Sequence, residues 1–436
     1  FRKFRPPGPE GGGQQMARQA PAVVCPRSNV ERKMFVVAVP DYIHESVRAL
    51  PVLPTAVIRL LSLARDINAD FREIARVIET DQTLTARTLR AANSPLNSVA
   101  RPVKTVRQAT VLLGADTIVN LALGISVISL QSGLYKNLPV DPNAFGRHSI
   151  AVGLTARTLA QHFKLPNPSE AFVAGLLHDI GKLVLLMHYG EAYARLMRQS
   201  WQQSEPLNEL ELDAYDLDHA LVGHVLCMHW NLPPAMAKAV AEHHAEPAPR
   251  SVADMVSRAN DLVKTIQLGD SGNRYVALAP ASGLPRDQIS RDVLREMVLA
   301  LPRLTHKAEE AMGYTAKGVS AEAPPAERPR VHLHFRESGE QEILTTMLWS
   351  MGYEPTGPRE AAFGGNGEPA AVAPIALLSS VPAAELQRVV YQQQYVPVLD
   401  YAAWRTQHNL SPGDAFDVYQ LRTWLEAGLQ EATNQT

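Results

Sequence analysis

Cysteine is almost missing from this chain: Cys25 and Cys227 are the 2 among 436 residues. That excludes a disulfide framework and a cysteine-rich zinc module, and it fits a reducing cytoplasm. Excess charge of either sign is missing too. Lys and Arg number 42 against 44 Asp and Glu, a net charge of −2, which gives no general attraction to nucleic acid or an anionic membrane. Long apolar runs are also lacking. The best, IVNLALGISVISL at 118–130, falls short of the roughly 20 residues a membrane span needs and reads as a buried helix. The basic, then Gly- and Pro-rich start FRKFRPPGPEGGGQQMARQAPAVV has no apolar signal-peptide core. Residues 1–35 are expected to be disordered, with Met34 a sensible start for the ordered protein.

What is present is helical periodicity. From about Asp41 to Tyr314 no β-rich run bounded by turns occurs. Leu60, Leu61, Leu63 and Ala64 form one apolar stripe, and Phe71, Ile74, Val77 and Ile78 another, with Asp70 placed to cap the second. DQTLTARTLRAANSP is a third helix, and TVRQATVLLGADTIVNLALGISV a fourth with a break near Gly114. Residues 265–288 read as a loop, and a last helix covers Asp292–Met312. TAKGVSAEAPPAERPR, 315–330, has linker composition. Beyond it the period changes. RVHLHF, APIALLSSV and YVPVLDY read as strands, alternating with helices in EQEILTTMLWSMGY, AAELQRVVYQQQ and SPGDAFDVYQLRTWLEAGL. The fold class is therefore mainly α: an all-helical domain over 36–314, a linker, and a small α/β domain with a mainly parallel sheet over 331–436.

Histidine carries the chemistry. His148 lies in HSIAVGLTARTLA, His178 and Asp179 are adjacent in LLHDIGK, His219 falls in DLDHALVGHVL, and His243-His244 close AKAVAEHH. Divalent metals need imidazoles and carboxylates converging from several elements. Neighbours on one helix leave its axis about 100° apart, so His178 and Asp179 can flank one ion or serve two. The same divergence leaves open which of His243 and His244 faces inward. His162, His188, His224 and His229 read instead as core histidines satisfied by carbonyls.

Several segments in order, LPVLPTAVIRLL, DQTLTARTLRAANSP, FGRHSIAV, AGLLHDIGKLVLL, DHALVGHVL and WNLPPAMAKAVAEHH, resemble the HDOD domain. That domain is a divergent branch of the HD superfamily of metal-dependent phosphohydrolases, and the resemblance spans about 43–246. Against the HD-GYP cyclic-di-GMP phosphodiesterases, it implies metal ligands at His148, His178, Asp179, His219, His243 and His244, and a phosphate-steadying role for Lys182. Iron, manganese or zinc is the implied ion. Two positions depart from that pattern. Asn260 stands where the last acidic ligand is expected, with Asp261 about 100° away on the helix, and AEPAPR replaces the Gly-Tyr-Pro signature. An amide brings no charge to hold an ion or activate water.

The resemblance thus implies a cytoplasmic bacterial signal-transduction protein whose HDOD domain is a non-catalytic output module working through contacts with other signalling proteins. The alternatives are a phosphohydrolase acting on a cyclic dinucleotide or nucleotide, and a cyclic-dinucleotide binder without hydrolysis. Arg87 and Arg90 could suggest a DNA-reading helix, but no dense basic face accompanies them and no DNA partner is expected. The α/β domain resembles a degenerate response-regulator receiver. Arg336, Glu337 and Ser338 follow its first strand, Ser379 and Ser380 its second, and Asp400 ends a later one, so phosphoryl chemistry is not expected there. Its expected role is to recruit partners or form a homodimer.

Overall fold

Asp141 opens the helix on which the site is built. Its carboxylate accepts from the Asn143 N–H, and Pro142 fits the first turn, where no N–H is needed. The helix so started, α7 (Pro142–His162), is buried nearly all round from Phe145 to Ala156. The computed structural model describes residues 40–50, 55–64, 70–93, 102–134, 141–203, 205–245, 247–273, 275–276, 289–312, 330–334, 338–351, 353–356, 376–379, 390–391, 394–395, 398–408 and 416–435. Residues 1–35, expected to be disordered, lie outside these.

Ahead of α7 come α1 (Asp41–Ala49), α2 (Thr55–Ala64), α3 (Phe71–Glu79), α4 (Gln82–Ala92), α5 (Val106–Leu113) and α6 (Ala115–Leu134). Asp70 caps α3 by accepting from Arg72 N–H, as its position suggested. The break between α5 and α6 falls at Gly114, whose φ of 85° suits glycine. Of the second stripe, Ile74 and Ile78 are buried, but Phe71, on the first helical residue, is 50% exposed.

After α7 follow α8 (Pro168–Leu177), α9 (Ile180–Tyr189), α10 (Glu191–Gln203), α11 (Leu207–Tyr215), α12 (His219–His229), α13 (Pro234–Glu242), α14 (Val252–Thr265) and α15 (Arg291–Ala311). Here α7 packs on α8 and α14, α9 on α12, and α13 on α12 and α14. Two crossings need glycine. A Cβ on Gly175 of α8 would lie 2.7 Å from Gly153 Cα on α7, and one on Gly181 of α9 would lie 2.0 Å from the His219 carbonyl oxygen. Among the described residues, one stretch, Pro168–Tyr189, is long and apolar enough to cross a membrane; 89% of its apolar window is buried inside the fold.

The stretch 265–288, read as loop, contains strand β1 (Tyr275–Val276). The linker lies outside the described residues except Arg330, which already belongs to β2 (Arg330–His334). Then come α16 (Ser338–Ser350), β3 (Glu354–Thr356), β4 (Ala376–Ser379), β5 (Val390–Tyr391), β6 (Gln394–Tyr395), β7 (Val398–Asp400), α17 (Tyr401–Gln407), β8 (Phe416–Asp417) and α18 (Val418–Gln435). Four strands form a sheet in the order β3-β2-β4-β7, with every pairing parallel. The helix expected over 383–394 is corrected at its end, where β5 and β6 pair antiparallel. A second antiparallel pair joins β1 to β8, Tyr275 opposite Asp417 and Val276 opposite Phe416. Nearby, Arg422 Nη1 donates to the Ile266 carbonyl at 3.2 Å, so the α/β segment is tied to the chain that leaves α14.

Candidate metal centre

LLHDIGK does not run through a helix. α8 ends at Leu177, α9 begins at Ile180, and Asp179 takes φ −98°, ψ 8° between them. The break corrects the expectation of a dyad within one helix. His178 helps make it: its Nδ1 lies 2.8 Å from the Gly175 carbonyl, which can only accept, so Nδ1 carries the proton. His243 repeats the device with the Val240 carbonyl at 2.7 Å. In both rings Nε2 is left facing the interior, where a neutral imidazole offers a lone pair.

Asp179 sits at the centre. Its Oδ2 lies 3.2 Å from His178 Nε2 and 3.8 Å from His148 Nε2, and its Oδ1 lies 3.2 Å from His219 Nε2 and 3.5 Å from His243 Nε2. His244 Nε2 is 3.0 Å from His219 Nε2. Ligand atoms gather in two groups that share Asp179: His148, His178 and Asp179, and Asp179, His219, His243 and His244. The helix α13 ends at Glu242, with His243 as its αR cap, and both closing histidines offer a ring nitrogen to the group around Asp179.

Buried polar atoms are ordinarily hydrogen-bonded. Here Nε2 of His148, His178 and His243, Oδ1 of Asp179 and Oδ1 of Asn260 have no hydrogen-bond partner. Several lie within reach of Asp179 without the alignment of a hydrogen bond. Converging lone pairs with nothing to donate to them are the chemistry of a cation site. Burial, then the neighbouring His178, pushes His148 well below the usual histidine value. Burial likewise holds His243 down at about 3 and His244 well below the ordinary range, so these rings stay neutral. Burial would raise Asp179, but His178 and Lys182 outweigh it and keep the carboxyl well below its usual value. His219 goes the other way: burial lowers it, and Glu211 and Asp179 together more than restore it.

Lys182 is fully buried, with Nζ donating to Asp179 Oδ2 at 2.8 Å and to Ser271 O and Oγ at 3.2 Å each. Ser271 belongs to a strap that closes over the cluster after α14. Gly269, at φ 89°, lies so near the His148 backbone nitrogen that a Cβ would come within 2.3 Å of it. Asp270 N–H donates to the Ala144 carbonyl at 3.0 Å, and Asp270 Oδ1 accepts from Gly272 N–H.

Of the residues singled out from sequence, His148, His178, Asp179, His219, His243 and His244 come together, with Lys182 bonded to Asp179. Asn260 is buried on α14 with its oxygen unpartnered. Asp261 is in neither group, and burial raises its carboxyl to about 6. The four histidines read as core stay outside the cluster, but His162, His188 and His229 are exposed rather than buried. His188 stacks on Tyr42, and His224 Nδ1 faces the Ala237 carbonyl. Ser271, Lys264 and Glu211 escaped the sequence reading. Burial, partly offset by Asp261, lowers Lys264 to about 8.

Fold and site define a helical bundle domain with a buried His/Asp cluster that could bind metal. The profile of the HDOD domain family matches residues 50–246, and that stretch is an HDOD domain. The solved HDOD domain protein of unknown function from Geobacter sulfurreducens is similar at 24% identity and a TM-score of 0.53, covering 62% of this chain and 98% of that one. An uncharacterized protein of Treponema pallidum (strain Nichols) is 23% identical over 255 residues, 58% of this chain. The chain spans about half, 49%, of that relative's length. The receiver-like reading of 331–436 gains no support from these likenesses.

Proposed function

We propose that this chain is a signal-transduction protein whose HDOD domain holds a divalent metal and acts through contacts with other signalling proteins rather than by hydrolysis. The observation that carries this is a set of otherwise unpartnered ligand atoms in a sealed place. His148, His178, Asp179, His219 and His243 are each at most 2% exposed. His148, His178 and Asp179 would hold one ion; Asp179, His219, His243 and His244 would hold a second, and Asn260 offers an amide oxygen. Iron, manganese or zinc suits imidazole and carboxylate donors. A bound ion supplies Lewis acidity and lowers the pKa of a water that reaches it.

Two residues favour holding over hydrolysis. Asn260 brings no negative charge, and Lys182, expected to steady a phosphate oxygen, is committed to Asp179 and Ser271. The histidines join the α8–α9 break to α7, α12 and the end of α13, so ligation there would set the shape of the bundle surface offered to partners. The C-terminal segment would add a recruiting or dimerising surface. Its order β3-β2-β4-β7 is that of the first strands of flavodoxin-like sheets. The complete histidine set supports a second reading, a metal-dependent phosphohydrolase of cyclic dinucleotides or nucleotides.

The test is the metal content of the full chain, purified without a polyhistidine tag or chelator. Near-stoichiometric metal is expected, with most of it lost in His178→Ala. A folded, metal-free wild type overturns the proposal. Hydrolysis of a cyclic dinucleotide by the loaded wild type, abolished in His178→Ala, would replace it with the second reading.

A further inference from the structure

We infer that Glu211, itself held by Tyr193, is the positioning residue of the cluster: it orients His219 and strengthens it as a ligand. The inference rests on the metal-binding reading above. Glu211 lies on α11 and is wholly buried. A carboxylate in such a place is costly unless fully hydrogen-bonded, and two of the three donors to Glu211 belong to His219. Its Oε2 accepts from the His219 backbone N–H at 2.8 Å and from His219 Nδ1–H at 2.6 Å. Its Oε1 accepts from Tyr193 Oη–H. Tyr193 is also wholly buried.

The consequence for His219 is geometric and electronic. With Nδ1–H given to Glu211, Nε2 is fixed 3.2 Å from Asp179 Oδ1 and 3.0 Å from His244 Nε2. The backbone bond matters as well. The His219 N–H is one of the first of α12, which the helix itself leaves unpaired, so Glu211 anchors the ring and the start of its helix together. His178 and His243 give their Nδ1–H to neutral carbonyls, whereas His219 has an anion behind it. A carboxylate behind a ligating imidazole fixes its tautomer and raises its basicity. Within the group Asp179, His219, His243 and His244, His219 is thus the ligand tuned by charge.

Cobalt(II) titration of the full chain, followed by its visible absorption bands, tests this with Glu211→Gln and Tyr193→Phe. A glutamine amide keeps an oxygen for both His219 donors and offers N–H to Tyr193 Oη, so shape is kept while the charge and the acceptor of the Tyr193 O–H are lost. Expected for Glu211→Gln is a melting temperature close to wild type, cobalt binding weaker by about 10–100-fold, and shifted bands. Tyr193→Phe, which removes one support of the carboxylate, should fall between. Unchanged affinity and bands in a folded Glu211→Gln overturn the role of Glu211 while leaving the metal reading intact. A wild type that takes up no cobalt fails earlier, before any substitution, and removes both.

Discussion

Asp179 faces four imidazoles and the Lys182 ammonium at once. Lys182 is fully buried, and apart from Asp179 its Nζ meets only the oxygens of Ser271 among its hydrogen-bond partners. Asp179→Ala should leave that charge without its counter-ion, a change that typically costs about 3–5 kcal/mol. Urea unfolding of the metal-free protein measures it, and a loss below about 1 kcal/mol would show that Ser271 suffices. The residues of this centre were legible to different degrees. His148, the His178–Asp179 dyad, His219 and the closing pair stand at spacings that resemble a known pattern. Glu211 did not stand out, because ELELDAYDLD offers Glu209, Glu211, Asp213, Asp216 and Asp218 as chemical equals. Burial leaves Glu211 and Asp218, and of these Asp218 caps α12 at Leu221 N–H whereas Glu211 meets the His219 ring. Ser271 was hidden for another reason: its role depends on a strap whose path turns at Gly269.

At the scale of elements, the centre depends on how closely α9 approaches α12. Gly181→Ala would drive a methyl to 2.0 Å from the His219 carbonyl oxygen, a backbone atom that cannot rotate away. Overpacking of this kind costs about 1–3 kcal/mol, and here it would also push His219 from Asp179. The expected result is a lowered urea midpoint together with weakened metal binding. A purely local effect would lower the midpoint and leave binding intact. The helices themselves were readable from apolar periodicity, and several caps, such as Asp70 and the break at Gly114, were readable from single residues. The interruption at His178–Asp179 was not, because LLHDIGKLVLL is apolar enough to suggest one helix and its break depends on His178 bonding to Gly175. The end of α13 was ambiguous as well. Neighbours on a helix leave its axis about 100° apart, so the sequence left open which of His243 and His244 faces inward, and both join the group around Asp179. In the C-terminal segment the strand–helix alternation was visible, while the short β5–β6 pair lies where YQQQY carries little signal.

On the scale of the whole molecule, the strap over the site is gripped from far along the sequence. β1 continues it and pairs with β8, while Arg422 donates to the Ile266 carbonyl just before it. Arg422→Ala removes one such tie, for which about 0.5–1.5 kcal/mol is typical. Amide exchange over residues 266–276 should then quicken by roughly 2–10-fold, with α7 and α8 unchanged. Equal exchange in variant and wild type would mean that β1–β8 holds the strap alone.

That grip also has an order in time. His148 through Asn260 have all been synthesised before residue 277, yet the partner of β1 is residues 416–417. At roughly 5–20 residues per second, the ribosome adds the intervening chain over something on the order of ten seconds. Through that interval the nascent bundle carries its full complement of histidines beneath a strap whose distal clamp does not yet exist. Assembling the side chains of the centre and clamping the strap over them are thereby separate events in the making of this protein.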